Sequence, residues 1–468
     1  MSESLNGEAL AAEVVGVTLA NDPRLALRYA AMVQSIAVSP ATSLPKLMSS
    51  AELEAAYRFF SNPRVTPDEI LSPHVAKTAK RCADQQRVLV VHDTTDFTYR
   101  IDGERQGLGR SRKTADNTFY GHFSLALSAD GSRRPLGIAA LMTWVRGKEC
   151  SNLEHKRWLD QIEASQRTLE PGTHAIHVFD REGDDYHLFA ELLAKDIHFV
   201  ARASANRWTV DDDGVREKLK TALATVDHVA EREAPIARRP KSRSRTKAQT
   251  HPARAARVAK LCVSSTQLSL VRPANYGLSK YPTRGELPKT LTVNVVRVWE
   301  PDPPDDVPVE WILYTNEPVG TADEMLAIVD HYRARWTIEE YFKALKTGCA
   351  FERKQLQDYE SLVNLLAVFA PIAYHVLLLR SQARATPDAP ASNVVDQDEL
   401  DVLRALGRRP LSASPTVREV MLAIAALGGH IKYAPDPGWL TLSRGYAELA
   451  TLTRGWVAAK LQRPCDQR

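Results

Sequence analysis

Apolar residues recur at helical spacing through the first 80 residues, and no convincing strand pattern interrupts them. The segment AELEAAYRFF (51–60) favours a short helix, and SNPRVTPDE (61–69) favours a turn followed by a new helix start. The pattern predicts a small helical domain over residues 1–80.

The pattern changes at Arg87, where short apolar and β-branched runs replace the helical spacing. RVLVVHD (87–93), FSLALS (123–128) and PLGIAALMTW (135–144) each favour a strand. Helix and strand patterns then alternate as far as HFVARAS (198–204). Strands followed by alternating helices and strands predict a mixed α/β sheet.

Residues 206–320 have the pattern of a β-rich insertion. Two strand-like segments, LTVNVVRVWE (291–300) and VEWILYTNE (309–317), flank a loop rich in proline and aspartate. From Asp323 the pattern is helical again through Leu379. We therefore expect an α/β core over 81–380 and a helical domain over 381–468.

The composition limits the class of protein. Hydrophobic residues make up 44% of the chain and charged residues 25%, which is typical of a soluble globular protein and excludes a fibrous or disordered one. The net charge is only +4, so any affinity for a polyanion must come from local clustering of charge.

The compartment follows from the cysteines and the apolar segments. The five cysteines are scattered without the spacing of a zinc or redox motif, and the N-terminus lacks a secretory signal. The most apolar stretch, 362–379, is interrupted by Asn364, Pro371 and His375, which favours a buried helix over a membrane span. We expect a cytoplasmic protein that makes no use of a membrane.

Two aspartates have the same local setting. Apolar runs, VLVV before His92 and HVF before Asp180, lead into Asp93 and Asp180, and polar residues follow each acid. We expect each to end a strand, and ligands gather at the carboxyl ends of strands in an open sheet. A strand-terminal aspartate that merely caps a turn is the better explanation for either acid alone, but a weaker one for both.

A third acid lies on the predicted helix DHYRARWTIEEYFKALK (330–346). At about 100° per residue, Arg335, Glu339, Lys343 and Lys346 fall within about 60° of Tyr332 on the helix surface. The apolar residues of this segment lie on the opposite face. A solvated face with ordinary ion pairs, such as Arg335 with Glu339, fits the spacing equally well.

Three carboxylates without a Cys or His ligand motif suit a hard cation such as Mg²⁺. Two such ions about 4 Å apart can activate the attacking oxygen and stabilise the leaving oxygen at a phosphodiester. The acids together therefore indicate an enzyme that cuts phosphodiesters.

A nucleic-acid partner has separate support in residues 238–260, which hold nine Lys/Arg and no acid. A flexible basic linker without a fixed docking mode explains this segment equally well. His92 and Trp311 lie in strand patterns, where core positions are the ordinary assignment for both.

The sequence resembles the bacterial DDE transposases of the IS-four superfamily, and especially those of Tn-five type. Similar segments occur in the family's order from about residue 20 to 460. The last of them contains the complete family signature as Tyr332, Arg335, Glu339 and Lys346. The segments that carry the resemblance are AYRFFSNPRV, HDTTDFTYR, VFDREGDDYHLF, EWILYTNEPV and YRARWTIEEYFKALKTGCAFERKQL.

The resemblance implies a ribonuclease H-like mixed-sheet catalytic core with the β-rich insertion, an N-terminal domain that recognises transposon ends, and a C-terminal dimerisation domain. It implies two Mg²⁺ ions, replaceable by Mn²⁺, on a catalytic triad of Asp93, Asp180 and Glu339. The chain departs from the family pattern at Phe119 and Tyr120, where the family has paired tryptophans.

The resemblance also implies the partners. These are the terminal inverted repeats, target DNA and a second copy of the chain. Tyr332, Arg335 and Lys346 would hold DNA near the cleaved end, Lys343 would also touch it, and Trp311 would stack on a flipped base while a hairpin forms.

Two other functions fit the same residues. A plain ribonuclease H-like nuclease would hydrolyse DNA without joining it. A non-catalytic protein of the same fold would bind DNA or pair with an active transposase, although the intact acids argue against this alternative.

Overall fold

The computed structural model describes residues 13–462, apart from 15, 17, 100–104, 110–116, 147–153, 212, 240–251, 275–286, 305–308 and 432–435. The amino-terminal part is helical, and the helices predicted at 51–60 and after Thr66 are confirmed. Both begin with a capping box, in which a serine or threonine and a glutamate satisfy each other's backbone N–H groups. The helices are α1 (Pro23–Val38), α2 (Leu44–Leu47), α3 (Ser50–Phe60) and α4 (Pro67–Ala83).

A mixed sheet of eleven strands forms the centre of the described structure, in the order β3-β2-β1-β4-β5-β11-β10-β9-β6-β7, with β8 paired to β9. β1 pairs with β4, and β4 with β5, in parallel, and the other neighbours are antiparallel. The strands are β1 (Arg87–Tyr99), β2 (Asn117–Ser128), β3 (Pro135–Trp144), β4 (His174–Phe179), β5 (His198–Arg202), β6 (Trp208–Val210), β7 (Arg216–Lys218), β8 (Ala230–Ile236), β9 (Arg257–Val271), β10 (Thr290–Trp299) and β11 (Glu310–Thr315).

Helices cover the sheet and make the parallel pairings possible. Helix α5 (Glu154–Thr168) precedes β4, and α6 (Tyr186–Ala194) connects β4 to β5. A parallel pair needs such a crossover, because the chain must return to the same end of the sheet. The predicted mixed α/β class is confirmed.

The strands between 208 and 315 extend this same sheet. β11 pairs antiparallel with β5, from Leu313 opposite Arg202 to Thr315 opposite Val200. β10 and β9 follow outward, and the short helix α7 (Leu219–Ala224) lies after β7. The end of β5 and the start of β11 therefore lie side by side, and only β4 separates β5 from β1.

The next helices follow β11 directly. They are α8 (Ala322–Ala334), α9 (Trp336–Lys343), a π-helical turn (Ala344–Gly348) and α10 (Tyr359–Ala385). By length and composition α10 resembles a membrane span, yet 94% of its most apolar window is buried within the protein. The predicted buried helix is confirmed, but it is longer than expected, because it continues through Pro371 and ends only at Ala385, just before Pro387.

Two buried polar side chains attach the amino-terminal helices to the rest of the protein. The Lys354 ammonium donates to the carbonyl oxygens of Pro40 and Thr42, at 2.7 Å each. The Asn364 amide on α10 donates to the carbonyls of Phe60, at 3.0 Å, and Val65, at 3.2 Å. Phe60 ends α3, where helix geometry leaves carbonyl oxygens unpaired, and the other three carbonyls lie in the turns between the amino-terminal helices.

The carboxyl-terminal helices are α11 (Gln397–Leu406), α12 (Val417–Leu427) and α13 (Trp439–Gln462). Capping boxes start α11, with Asp396 and Glu399, and α12, with Thr416 and Glu419. Burial, with the neighbouring Asp396 charge, raises the pKa of Glu399 to about 7. The backbone N–H of Thr416 and the Ser412 hydroxyl instead lower the pKa of the half-buried Glu419.

These opposite shifts predict opposite effects of one substitution. The folded-state pKa of Glu399 exceeds its unfolded value, so stability is lost as pH rises from about 4.5 to 7. Glu399→Gln keeps a capping acceptor without the buried charge and should raise the free energy of unfolding at pH 8 by about 1–3 kcal/mol. At pH 4 we expect little difference from the wild type, as measured by urea unfolding.

Glu419→Gln is the matched control. Its wild-type carboxylate has a lowered pKa and contributes stability above its unfolded pKa, which is lost as pH falls. This variant should be less stable than the wild type at pH 8. A destabilised Glu399→Gln protein at pH 8 would contradict the prediction.

Candidate active site

Asp93 lies in the middle of β1 and not at the end of a strand, so that prediction is wrong. Thr94–Tyr99 continue the antiparallel ladder with β2 and carry the strand past the acid. On the other side the parallel ladder with β4 ends at Val91 opposite Val178. Asp93 therefore lies just beyond the place where the parallel pairing stops.

Asp180 immediately follows β4, as predicted. Its carboxylate accepts a hydrogen bond of 2.8 Å from the Glu182 N–H and caps the single 3₁₀ turn Arg181–Gly183. A Cβ at Gly183 would lie 2.4 Å from the Phe179 ring, so this turn can only close against the strand with glycine there.

The predicted helix carrying Glu339 contains a change in hydrogen bonding. α8 ends at Ala334, and Arg335 joins it to α9 with helical backbone angles and three-residue hydrogen bonds to Tyr332 and from Ile338. After Lys343 the chain makes a π-helical turn. A uniform 100° per residue therefore does not hold through Lys346.

Arg335 joins two of the three acids. Its guanidinium donates to Asp93 Oδ2 at 3.2 Å and to Glu339 Oε1 at 2.5 Å. The Arg335 side chain is 8% exposed, so both ion pairs form largely out of water. Asp180 is close enough that its charge also favours the protonated guanidinium of Arg335 and helps to raise its pKa.

The charge of Asp180 acts on Asp93. Burial and the Asp180 charge raise the pKa of Asp93 to about 7, against the opposing effect of Arg335. Like charges gathered in a poorly solvated place favour either a shared proton or a bound cation. The three carboxylates therefore form a site with excess negative charge around Arg335.

The donor chemistry suits a divalent cation with oxygen ligands. Within the described part of the chain, groups of three potential ligand atoms within 4.8 Å of one another occur at His174, His198 and Glu317, and at His228, Glu231 and Cys262. The three acids are not grouped so closely. For Asp93 and Glu339 to bind one ion together, Arg335 must give up its bonds to them.

Tyr332 and Trp311 line one side of the site. Tyr332 is 3% exposed, and its ring lies 6.0 Å from that of the half-buried Trp311 at β11. Sequence spacing placed Tyr332 on a polar stripe, but its ring belongs to the core. The structure brings Trp311 beside Tyr332, which in turn is close enough to Arg335 to help raise the pKa of that guanidinium.

Arg181 and Arg202 are residues that the sequence analysis missed. Arg202 ends β5, and its guanidinium lies 5.9 Å from the centre of the Tyr332 ring. Burial and then the Arg202 charge lower the pKa of Arg181, so the two cations are near each other. The available signal was that each follows or ends a strand that leads to the same edge of the sheet.

The two lysines behave differently. Lys346 donates to the backbone carbonyl of Asp96, three residues beyond Asp93 on β1, and lies 3.7 Å from Glu352. Lys343 instead pairs with Glu340 at 2.8 Å and is half exposed. Lys346 therefore lies against β1 three residues beyond Asp93, whereas Lys343 is directed toward Glu340.

Buried histidines on β1 and β4 lie next to Asp93. His92 is fully buried, as predicted, and its Nε2 lies 2.8 Å from His177 Nδ1 while Ser124 contacts its other nitrogen. Burial lowers the pKa of His177 to about 3 and that of His92 well below its usual value. These neutral rings connect β1 and β4 without adding charge next to Asp93.

The basic segment 238–260 is only partly described. Residues 240–251 lie outside the described residues. Arg257 at the start of β9 pairs with the buried Glu300 at 2.7 Å, which is a structural ion pair and not a free cation.

Comparison with known proteins adds family information. A transposase DNA-binding model matches residues 7–65, and a transposase DDE domain model matches residues 139–370, which include Asp180 and Glu339. The solved synaptic complex of piggyBac transposase with hairpin DNA shares 10% identity with this chain, with a TM-score of 0.35. That comparison covers 99% of this chain and 74% of that chain.

The two matches occur along the chain in the order expected of a transposase, with the DNA-binding domain before the catalytic domain. DDE transposases use divalent metal ions, which agrees with the oxygen-rich donor set of the site. The chain therefore belongs to the DNA-binding DDE transposases, enzymes that cut and join DNA strands.

Proposed function

We propose that this protein is a cut-and-paste transposase of the Tn-five type, within the IS-four superfamily, with a ribonuclease H-like catalytic core. The observation that carries the proposal is the gathering of Asp93, Asp180 and Glu339 around Arg335. The match of residues 7–65 to a transposase DNA-binding model supports end recognition by the N-terminal helices.

In the proposed reaction the three carboxylates hold two Mg²⁺ ions, for which Mn²⁺ can substitute. When bound, such ions activate an attacking oxygen and stabilise the leaving oxygen at phosphorus. Asp93 and Asp180 hold their positions because they belong to neighbouring parallel strands. Glu339 approaches from α9.

The chain's own residues orient the DNA in this proposal. Arg335, released from the acids, binds a phosphate beside the cleaved bond, and Lys346 binds the next one. Tyr332 supports Trp311, against which a displaced base stacks. Lys343 turns from Glu340 to touch DNA.

The steps share one chemistry. Water attacks to nick one strand, the new 3′-hydroxyl attacks the opposite strand to form a hairpin, and a second water opens it. The 3′-hydroxyl then joins target DNA. Because every step is an in-line displacement at phosphorus, movement of the DNA past fixed acids is sufficient.

The partners in this proposal are the terminal inverted repeats, target DNA and a second copy of the chain. We assign the second-copy contact to the helical region 381–468 and the cellular location to the cytoplasm. Strand transfer with precut ends separates this function from that of a plain nuclease, which would yield no joined DNA.

Removing any one acid should abolish cleavage but not DNA binding. We expect Asp93→Asn, Asp180→Asn and Glu339→Gln each to reduce cleavage at least about 1,000-fold, since each removes a negatively charged oxygen ligand. Binding of end DNA, measured by gel shift without divalent metal, should remain within a few fold. Asp160→Asn, which removes a 41% exposed carboxylate on α5, is the control. Wild-type cleavage by any of the three variants would discard the triad.

Trp311→Ala should slow hairpin formation more than first-strand nicking. Stacking is worth about 1–3 kcal/mol per base, so the hairpin step should slow about 5- to 150-fold. Single-turnover assays with end DNA measure both steps, and Tyr332→Phe, which keeps the ring beside Trp311, should leave their ratio unchanged. Equal slowing of both steps by Trp311→Ala would indicate a purely structural tryptophan.

A further inference from the structure

A basic surface includes residues of α9 on a different face of the helix from Glu339. A cleft of about 510 Å³ is bounded by the β2–β3 turn, the end of α8, α9 and the second half of α10. We call it the arginine cleft, because its lining includes four arginines and a single acid, Glu340. The four are Arg133, Arg333, Arg380 and Arg384.

Among the described residues, the acids that neighbour the cleft are too few to neutralise its positive charge. Asp330 alone is shared by Arg133, Arg232 and Arg333, at 3.8, 2.9 and 3.2 Å. Burial and the Arg333 charge lower the pKa of Arg133. One carboxylate among three guanidiniums leaves a local surplus of positive charge.

The other end of the cleft has the same imbalance. Arg380 lies 3.6 Å from Glu340, which Lys343 also approaches at 2.8 Å. Arg384 shares Asp436 with Arg418, which is the nearer partner at 2.7 Å against 3.9 Å. A polyanion bound here would meet cations that have few competing partners, as phosphate binding requires.

The cleft adjoins the active site through α9. Trp336, 58% exposed, lies on the cleft and follows Arg335, whose guanidinium is 5.4 Å from the centre of its ring. Glu340, in the cleft lining, follows Glu339. At about 100° per residue, one short helix thus presents neighbouring faces to the acids and to the cleft.

The cleft also lies away from the DNA-binding region. Residues within the 7–65 match contact Lys354 and Asn364. Arg380 is 16 residues beyond Asn364 on the continuous helix α10, about 24 Å at 1.5 Å per residue. Lys346, ten residues beyond Trp336, lies toward Glu352 and the Lys354 side. Glu339 is therefore between the two surfaces.

We propose that the arginine cleft binds the phosphate backbone of flanking DNA, the duplex that continues beyond the transposon end before cleavage. DNA held by the N-terminal helices and crossing Glu339 would extend toward the cleft. The contact is to backbone phosphates and independent of sequence. This inference rests on the proposed function only in taking the scissile phosphate to lie at Glu339.

The test compares two charge-removing double variants. Arg133→Gln/Arg384→Gln removes the two more exposed arginines of the cleft, and Arg333 and Arg418 remain to pair with Asp330 and Asp436. Arg167→Gln/Arg216→Gln removes two exposed arginines elsewhere, on α5 and β7, and is the matched control.

The probes are duplexes carrying the inverted repeat that borders the coding region. One has a flank of 2 base pairs, a second a flank of 15, and a third a short flank with equal extension on the transposon side. Affinities are measured in EDTA over a range of salt concentrations, so that failure to cleave DNA does not affect the result.

We expect the wild type and the control variant to bind the long-flank duplex about tenfold more tightly than the other two. The cleft variant should lose this preference, and its salt dependence on the long-flank duplex should fall by about two phosphate contacts. Its affinity for the short-flank duplex should stay unchanged. A wild type without the preference, or a cleft variant that keeps it, would overturn the inference.

Two further outcomes identify other DNA. Equal loss of affinity for all three duplexes would assign the cleft to the transposon end. Normal flank binding with defective joining of precut ends would assign it to target DNA. Each result overturns the flanking-DNA assignment. Conversely, a retained flank preference in a protein that cleaves no DNA in Mg²⁺ would reject the proposed function alone.

Discussion

The most demanding constraint in this structure is the electrostatic cost of collecting carboxylates in a poorly solvated place. Burial and Asp180 raise the pKa of Asp93 to about 7, so an uncompensated cluster would take up protons or move apart. Arg335 opposes this by bonding Asp93, 242 residues earlier in the chain, and Glu339. The helix with the third acid is thus tied to the central sheet by charge as well as by packing.

Strand pairing and turn geometry fix the positions of Asp93 and Asp180, which the ion pairs alone do not. The β1–β4 ladder stops at Val91, so Asp93 is free of that pairing, while β2 still holds its strand in place. Gly183 lets the turn after Asp180 close against Phe179. The buried histidines His92 and His177 remain neutral, because burial lowers their pKa values. They therefore fill space between β1 and β4 without pairing with the acids or binding a cation.

Local patterns predicted the mixed α/β class, the strands at Asp93 and Asp180 and the buried α10, because burial and periodicity are properties of neighbouring residues. The continuation of β1 past Asp93 depends on pairing with β2, and the apolar run over 87–93 does not contain that information. The bond change at Arg335 and the π turn that contains Lys346 likewise do not follow from helical periodicity. Arg202 comes to Tyr332 because α8 packs against β5, a long-range contact that local patterns do not contain.

The position of Arg335 gives it two successive tasks within the proposed function. A guanidinium carries one charge and has no acceptor, so it can neutralise the acids but cannot activate an oxygen between them. Its bonds to Asp93 and Glu339 must break before both acids bind a common ion. The released side chain keeps its charge at any pH relevant to DNA, and Trp336 lies beside it toward the arginine cleft. In the proposed function, the residue that bridges Asp93 and Glu339 without metal would therefore bind a DNA phosphate once metal replaces it.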